Sequence, residues 1–143
     1  MSGMGTAVSL AIKGTMTYTD NANTIEVRPV NWNTGSDWIY HRIRTLGSRT
    51  GEFVVNQDDT IIAGADNQYN PAVDVPFSWA SAHTETNLDG ASDGVSTSSA
   101  TPSGLSDLAT TDLVIGDTFM GNIGSLSMWA IELNQTQLKD VTS

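Results

Sequence analysis

The segment FMGNIGSLSMWAIELNQTQLKDV, from Phe119 to Val141, decides the fold class. Its first half alternates apolar residues with small or polar ones, which is typical of a β-strand that covers a core with one face. The alternation breaks at Gly124–Ser125, where one extra residue would form a β-bulge. With that bulge, Ile123, Leu126 and Met128 all face the core, and the segment predicts a long strand near the C-terminus.

The second half of the segment predicts one short helical turn after that strand. Asn134 is a favourable N-cap residue, and Gln137 three positions later completes a capping box. Leu133 and Leu138 lie at the two positions of a hydrophobic staple. Trp129 and Ile131 point away from the core that the strand covers, so they need apolar cover of their own.

The rest of the chain predicts further short strands. Alternating or β-branched and aromatic segments recur between turn signals, which favours an all-β sandwich. Pro29 predicts a strand edge or a strand end. The region 87–106 is rich in Gly, Ser and Thr and predicts a turn, a weak strand and an exposed loop. The predicted strands are AVSLAIKG from Ala7, TIEVRPV from Thr24, WIYHRIRTL from Trp38, GEFVVNQDD from Gly51, TIIA from Thr60, VPFSWASAHTET from Val75, and DLVIGDTF from Asp112, the last a buried strand ending at Gly116.

Length and charge limit the function classes. The chain has 143 residues, which predicts a single domain over residues 1–143. Its net charge is -10, which disfavours nucleic acid as a partner because phosphates attract basic surfaces. It contains no cysteine and no apolar run long enough for a membrane span, so we expect neither disulfides nor a membrane partner. The N-terminus has no basic residue before its apolar patch and does not resemble a signal peptide.

The C-terminal segment LVIGDTFMGNIGSLSMWAIELNQTQLKDV resembles the signature of laminin-G-like, concanavalin A-like jelly-roll domains. Upstream, NTIEVRPVNW, FSWA and LDG are similar to other strands and turns of that family. The resemblance implies an antiparallel two-sheet β-sandwich with a short C-terminal helical turn. The sandwich is expected to be reduced in size, because the interval from Trp79 to Asp89–Gly90 is shorter than is usual in the family and the N-terminal part is compact. The positions that match are Ile115, Gly116, Phe119, Gly121, Ile123, Trp129 and Leu133.

The sequence does not predict an enzyme. Glucanases of this fold carry alternating acids on one strand, because one carboxylate attacks the sugar while the other donates a proton. No such run exists here, and Asp58 and Asp59 are adjacent and predict a turn. His41 and His83 are the only histidines, and each is expected to be structural. A small glycan-cleaving enzyme is therefore a poor fit.

A calcium site is one interpretation of the acidic turns, and ordinary turn acids are the other. The spacing in NLDGASDGV is part of an oxygen-ligand loop, but the full EF-hand pattern fails. The family resemblance implies calcium at one rim of the sandwich. No other cofactor is expected. The candidate ligands are Asn87, Asp89, Asp93 and Asp117.

Exposed aromatic residues are the candidates for contact with a glycan or a partner. The loop between Trp32 and Trp38 offers two tryptophans with an Asn and an Asp, and Tyr69 is a further candidate. Tryptophans in a small sandwich are also common core residues, so both interpretations stand. The sequon at Asn134 is expected to act as a helix cap rather than a glycosylation site.

The composition resembles that of bacteriophage particle proteins, which implies a non-enzymatic capsid decoration or cement protein on the outer surface of the virion. Its partners would be the major capsid protein or other virion proteins, in a homo-oligomer or bound to the lattice. Arg42, Arg44 and Arg49 would dock on an acidic patch of such a partner. The alternative is a carbohydrate-binding, lectin-like attachment module of a tail fibre or a bacterial surface, with a host-surface glycan as its ligand.

Overall fold

The structure is a computed structural model that describes residues 5–17, 26–34, 38–44, 52–63, 74–105 and 111–143. These residues form ten strands and one helix. The first five strands are β1 (Ala7–Met16), β2 (Glu26–Asn33), β3 (Trp38–Arg44), β4 (Glu52–Gln57) and β5 (Thr60–Ala63). The remaining elements are β6 (Pro76–Thr84), β7 (Leu88–Ser92), β8 (Val95–Ser96), β9 (Leu113–Asp117), β10 (Gly121–Trp129) and the helix α1 (Gln135–Thr142).

The strands form two antiparallel five-stranded sheets, as the sequence predicts. Sheet A has the order β10-β1-β6-β7-β8, and sheet B has the order β5-β4-β3-β2-β9. The chain crosses between the sheets several times, so strands that are neighbours in a sheet are often distant in sequence. β9 and β10 follow each other in the chain but lie at the edges of different sheets.

The main core lies between the two sheets. Because side chains alternate along a strand, every second residue of β1, β2, β3 and β6 points into this layer. Phe77 and Trp79 stack there with ring centroids 4.1 Å apart, and Phe119 meets Phe77 edge-on at 5.9 Å. The buried members of the core are Val8, Leu10, Ile12, Met16, Val27, Val30, Trp32, Ile39, Ile43, Val55, Ile62, Phe77, Trp79 and Leu88.

A second apolar cluster covers the outer face of sheet A. Leu133 and Leu138 pack there against four alanines, and Trp129 lies beside them. The Asn134 side chain accepts a hydrogen bond from the backbone N–H of Gln137, and the Gln137 side chain accepts from the backbone N–H of Asn134, so the predicted capping box is present. The short helix thus provides the cover that Trp129 requires. The alanines are Ala11, Ala80, Ala82 and Ala91.

The predicted bulge in β10 is confirmed at Gly124. Lys13 of β1 pairs with Ser125, and the next residue, Gly14, pairs with Ile123, so Gly124 is the extra residue. A Cβ atom added to Gly14 would lie 2.5 Å from the carbonyl oxygen of Asn122, which explains why glycine stands at this close approach.

Three local predictions were wrong. The region after Asn87 was predicted to be a turn, a weak strand and an exposed loop, but it begins with β7, whose residues are all buried. This strand is buried because it lies between β6 and β8 and under α1. β9 is an edge strand with exposed side chains rather than a buried one. Pro29 lies in β2, which has strand neighbours on both sides, and the register there is irregular between Val27 and Val30. That irregularity lets a residue without an N–H remain in an interior strand.

In the portion of the chain that the structure describes, no helix is long and apolar enough to cross a lipid bilayer.

Candidate functional site

The outer face of sheet B carries the best candidate for a binding site. In β3, Ile39, His41 and Ile43 are buried in the core, so the alternate residues Trp38 and Tyr40 point outward. Arg28, Asn31 and Asn33 of the neighbouring β2 point to the same side. Together these five residues line a cleft of about 240 Å³, which we call the Tyr40 face: Arg28, Asn31, Asn33, Trp38 and Tyr40.

Two arginine guanidinium groups and the Trp38 ring lie close to the ring of Tyr40. The Cζ atom of Arg28 lies 4.6 Å from the centroid of the Tyr40 ring, and that of Arg42 lies 5.8 Å from it. Both distances fall within the range of cation–π attraction. The Trp38 ring lies 6.5 Å from the Tyr40 ring at an interplanar angle of 33°. The rings and the guanidinium of Arg28 are therefore held in a fixed arrangement at the surface.

A row of amide and carboxylate groups borders these rings. Asn33 Nδ2 donates to Asn31 Oδ1 at 3.0 Å, and Asn31 Nδ2 donates to Asp117 Oδ2 at 2.8 Å. Asp117 is the last residue of β9, the strand beside β2. These bonds orient both amides and leave donors and acceptors at the rim of the cleft.

Two polar atoms near Tyr40 are shielded from solvent and have no hydrogen-bond partner among the residues described. They are Nε1 of Trp38 and Oδ1 of Asn56. Asn56 of β4 pairs with Tyr40 in the sheet, so it lies on the same side of sheet B. A buried polar atom that lacks a hydrogen-bond partner destabilises the folded state.

The structure separates the three aromatic residues proposed for ligand contact. Trp38 belongs to the Tyr40 face. Trp32 is a core residue whose Nε1 donates to the carbonyl oxygen of Thr111 at 3.2 Å, which corrects the expectation that it contacts a ligand. Tyr69 lies outside the described residues. Sequence reasoning missed Tyr40 and Arg28, although the alternation of Trp38, Tyr40 and Arg42 along β3 was a visible signal.

The proposed docking arginines do not form a projecting basic patch. Arg42 is almost completely buried, and its Cζ atom lies 5.8 Å from the centroid of the Tyr40 ring. This corrects its expected role as a freely exposed docking residue. Arg44 is the last residue of β3, and its side chain is outside the described part of the structure, as is Arg49 altogether.

The four proposed calcium ligands lie in three places. Asn87 Nδ2 donates to Asp89 Oδ2 and to Glu132 Oε1, each at 2.8 Å, and Ser99 Oγ donates to Asp89 Oδ1. Asp93 lies at the other end of β7, where Oδ1 accepts from the backbone N–H of Ser78. Asp117 borders the Tyr40 face, where its Oδ2 accepts from Asn31 Nδ2. Within the described ranges no three acidic or histidine side chains gather as a metal site would require, and calcium binding stays a prediction.

The two histidines form a buried network between the sheets, as their structural interpretation predicts. Gln57 Nε2 donates to the carbonyl oxygens of Thr84 and Gly104, so its Oε1 faces His83 Nδ1 at 3.1 Å. His83 Nδ1 must therefore carry the proton, which leaves Nε2 to accept from Ser81 Oγ at 2.8 Å.

The donor and the acceptor of the remaining hydrogen bond in this network follow from the first two bonds. Since Ser81 donates to His83, its Oγ accepts from His41 Nε2 at 2.5 Å. Burial lowers the pKa of His41 to about 3. Burial lowers the pKa of His83 well below its usual value, and the neighbouring His41 lowers it further. Both histidines are neutral at pH 7, and because Ser81 is fully buried it cannot reach a substrate in this state.

No family model and no curated protein matches this sequence. Solved structures do match its fold. The carbohydrate-binding module CBM40 of the Ruminococcus gnavus IT-sialidase, bound to α2,6-sialyllactose, superposes with a TM-score of 0.71 and 11% identity over 96% of this chain and 83% of that one. Domain 4 of the arabinanase AbnA from Geobacillus stearothermophilus, in complex with arabinotriose, superposes at 0.70 with 14% identity, covering 100% of this chain and 68% of that one.

A third match is a heptameric SAP-like pentraxin from Limulus polyphemus. It has a TM-score of 0.67 and 8% identity, covering 100% of this chain and 73% of that one. Identities this low establish the fold alone. The chain is a jelly-roll β-sandwich similar to these domains, which agrees with the predicted concanavalin A-like architecture.

Proposed function

We propose that the chain is a non-catalytic carbohydrate-binding module and that its ligand binds on the Tyr40 face. The observation that carries the proposal is the arrangement of two outward aromatic rings, an arginine and two oriented amides around one cleft. Support also comes from the similar domains, two of which were solved with a bound oligosaccharide. This is the alternative that the sequence left open.

The chemistry of the Tyr40 face suits a sugar ring. A pyranose has an apolar C–H face that packs on an aromatic ring and a rim of hydroxyl groups that form hydrogen bonds. Tyr40 and Trp38 offer the ring surface, whereas Asn31, Asn33 and Arg28 offer the polar contacts. Sites of this kind combine apolar surface with a few convergent polar groups. The open cleft favours a short oligosaccharide over a small molecule that needs a closed cavity.

The test is a glycan array screen followed by calorimetric titration of the best ligand. We expect Tyr40→Ala to weaken binding by about tenfold or more, because it removes both the stacking surface and the support for Arg28. Tyr40→Phe should retain most of the affinity. Val95→Ala, at an exposed position on sheet A, serves as the matched control and should bind like the wild type.

The opposite pattern would overturn the proposal. If the wild type binds no glycan on a broad array, or if Tyr40→Ala binds the ligand with the same affinity as the wild type and Val95→Ala, the Tyr40 face is not the site.

A place on a virus particle stays a prediction from the sequence. A module that binds host glycans would serve an attachment role there, so the two proposals are compatible. Quantitative mass spectrometry of density-purified particles from the source culture separates the possibilities. A fixed ratio near that of the major shell protein supports decoration, a few copies per particle supports a tail fibre, and absence from particles contradicts both.

A further inference from the structure

We infer that β10 is a self-pairing edge, through which two copies of the chain join their A sheets into one continuous sheet. β10 has nine residues and pairs with β1 on one side only, and no strand of the described chain pairs with its other side. Every second backbone N–H and C=O of an edge strand is therefore directed outward and can pair with another strand. The pairing strand lies in sheet A, whereas the proposed glycan site lies on sheet B.

Apolar side chains collect along this side of the sandwich. Eight large apolar side chains of the described residues are exposed, and five of them lie on β9, on β10 or next to them. β9 and β10 meet here, since a Cβ atom added to Gly116 would lie 3.8 Å from Cδ1 of Ile123. Clustered exposed apolar residues are typical of an interaction surface. The five are Val114, Ile115, Met120, Met128 and Ile131.

The edge lacks the usual protection against pairing. Natural edge strands carry lysine, proline or inward-pointing charges that block another strand. The thirteen residues from Phe119 to Ile131 contain no charged residue and no proline. The bulge at Gly124 is the one protective feature, and it leaves the five residues from Ser125 to Trp129 in regular register with β1. The helix α1 lies mainly over β6, β7 and β8, and Trp129 at the end of β10 packs against the same apolar cluster.

Charge selects the partner. The chain has a net charge of -10, so two copies repel each other unless they meet through an uncharged surface. The segment 119–131 is such a surface, and it is flanked by the acids Asp117 and Glu132. A strongly charged partner would find no opposite charge on this strand. A second copy presents the same uncharged, apolar edge, so it is the complementary occupant.

The sequence also defines one favourable register. An antiparallel pair with Ser127 on the twofold axis places Leu126 of one copy opposite Met128 of the other, and Ser125 opposite Trp129. Leu126 and Met128 both face the layer between the sheets, because they pair with Ile12 and Leu10 of the core. Apolar residues thus meet on one side, and the large Trp129 meets a small residue on the other. An interface related by a twofold axis is closed and stops at a dimer.

Sedimentation equilibrium of the purified chain tests the inference. We expect a concentration-dependent dimer whose association strengthens as salt rises, because salt screens the long-range repulsion while the contact itself contains no ion pair. Met128→Lys should weaken dimerisation by about tenfold or more, since it places like charges in the interface. Ser127→Lys should do the same if Met128→Lys fails to fold. Val95→Lys, at the opposite edge of sheet A, is the matched control and should leave the dimer intact.

A cross-link tests the register. Because the chain has no cysteine, Ser127→Cys should oxidise to a covalent dimer, whereas Ser98→Cys, at an exposed site elsewhere, should not. A wild-type monomer at every soluble concentration would overturn the inference, as would a dimer that Met128→Lys and Ser127→Lys both leave unchanged. A dimer that Met128→Lys dissociates but Ser127→Cys does not cross-link would overturn the register.

Discussion

The outer faces of the two sheets differ in the side chains they present and in what covers them. The outer face of sheet A carries alanines, and α1 lies directly on them. The outer face of sheet B carries Arg28, Trp38 and Tyr40 around an open cleft. Small residues allow a helix to approach a sheet closely, whereas large aromatic and charged residues keep a surface open and chemically specific. Among the described residues, the chain itself covers the outer face of sheet A, whereas the outer face of sheet B keeps an open cleft, where we propose that a glycan binds.

The first prediction compares the two tryptophans that flank the β2–β3 connection, whose removal should change stability by very different amounts. Trp32→Ala should lower the free energy of unfolding by about 3–5 kcal/mol, because it empties a large core site. Trp38→Ala, on the outer face, should lower it by about 1 kcal/mol or less. Urea unfolding followed by circular dichroism measures both. Equal costs would contradict the assignment of one tryptophan to the core and the other to the Tyr40 face.

The second prediction removes the cover from sheet A. Leu138→Ala should lower the free energy of unfolding by about 2–5 kcal/mol, because Leu138 is fully buried between α1 and the alanines. Its glycan affinity, measured at a temperature where the variant is folded, should stay unchanged. Lys139→Ala, an exposed change on the same helix, is the control and should cost little. If Leu138→Ala abolishes binding in the folded variant, the two faces are not independent.

The third prediction concerns how stability depends on pH through the two histidines that are buried between the sheets. Below pH 6.5 the unfolded chain protonates His41 and His83, but the folded chain does not, because burial lowers both pKa values. The unfolded state then binds more protons, so stability falls as the pH falls, by up to about 1.4 kcal/mol per pH unit for each histidine. For His41 this loss extends from pH 6.5 down to its folded pKa of about 3.

Unfolding measured between pH 7 and pH 5 isolates this effect, because most carboxylates remain ionised there. The variant His41→Gln should show a shallower slope than the wild type. A wild-type stability that is flat or rises across this interval would contradict the neutral, buried network.

Much of the fold followed from local patterns that depend on neighbouring residues. The bulge at Gly124 and the capping box of Asn134 and Gln137 were predicted correctly, since both are set by spacing within a few residues. The sequence predicted only a weak strand within 87–106. The burial of β7 was not predicted because its residues, Leu88–Ser92, are mostly small or polar, and it is buried by its position between β6 and β8. Position in a sheet depends on long-range pairing, which periodicity does not encode.

The candidate site was predicted only in part. Trp38 and Trp32 were both predicted to contact a ligand, because tryptophan is a common residue in such sites. Nothing in the local sequence shows that Trp32 faces inward and Trp38 outward. Tyr40 and Arg28 acquire their role from the pairing of β2 with β3, which places them side by side. Arg42 looked like a surface cation in the sequence, yet it is buried along the sheet.

An NMR titration of the isotope-labelled chain with its best array ligand locates the binding face. If the glycan binds on the Tyr40 face, we expect amide shifts to change in β2 and β3, with the largest changes near Arg28, Asn31 and Tyr40, and we expect α1 and the outer face of sheet A to be unaffected. Changes concentrated on α1 or on β7, with β2 and β3 unaffected, would contradict the proposed site.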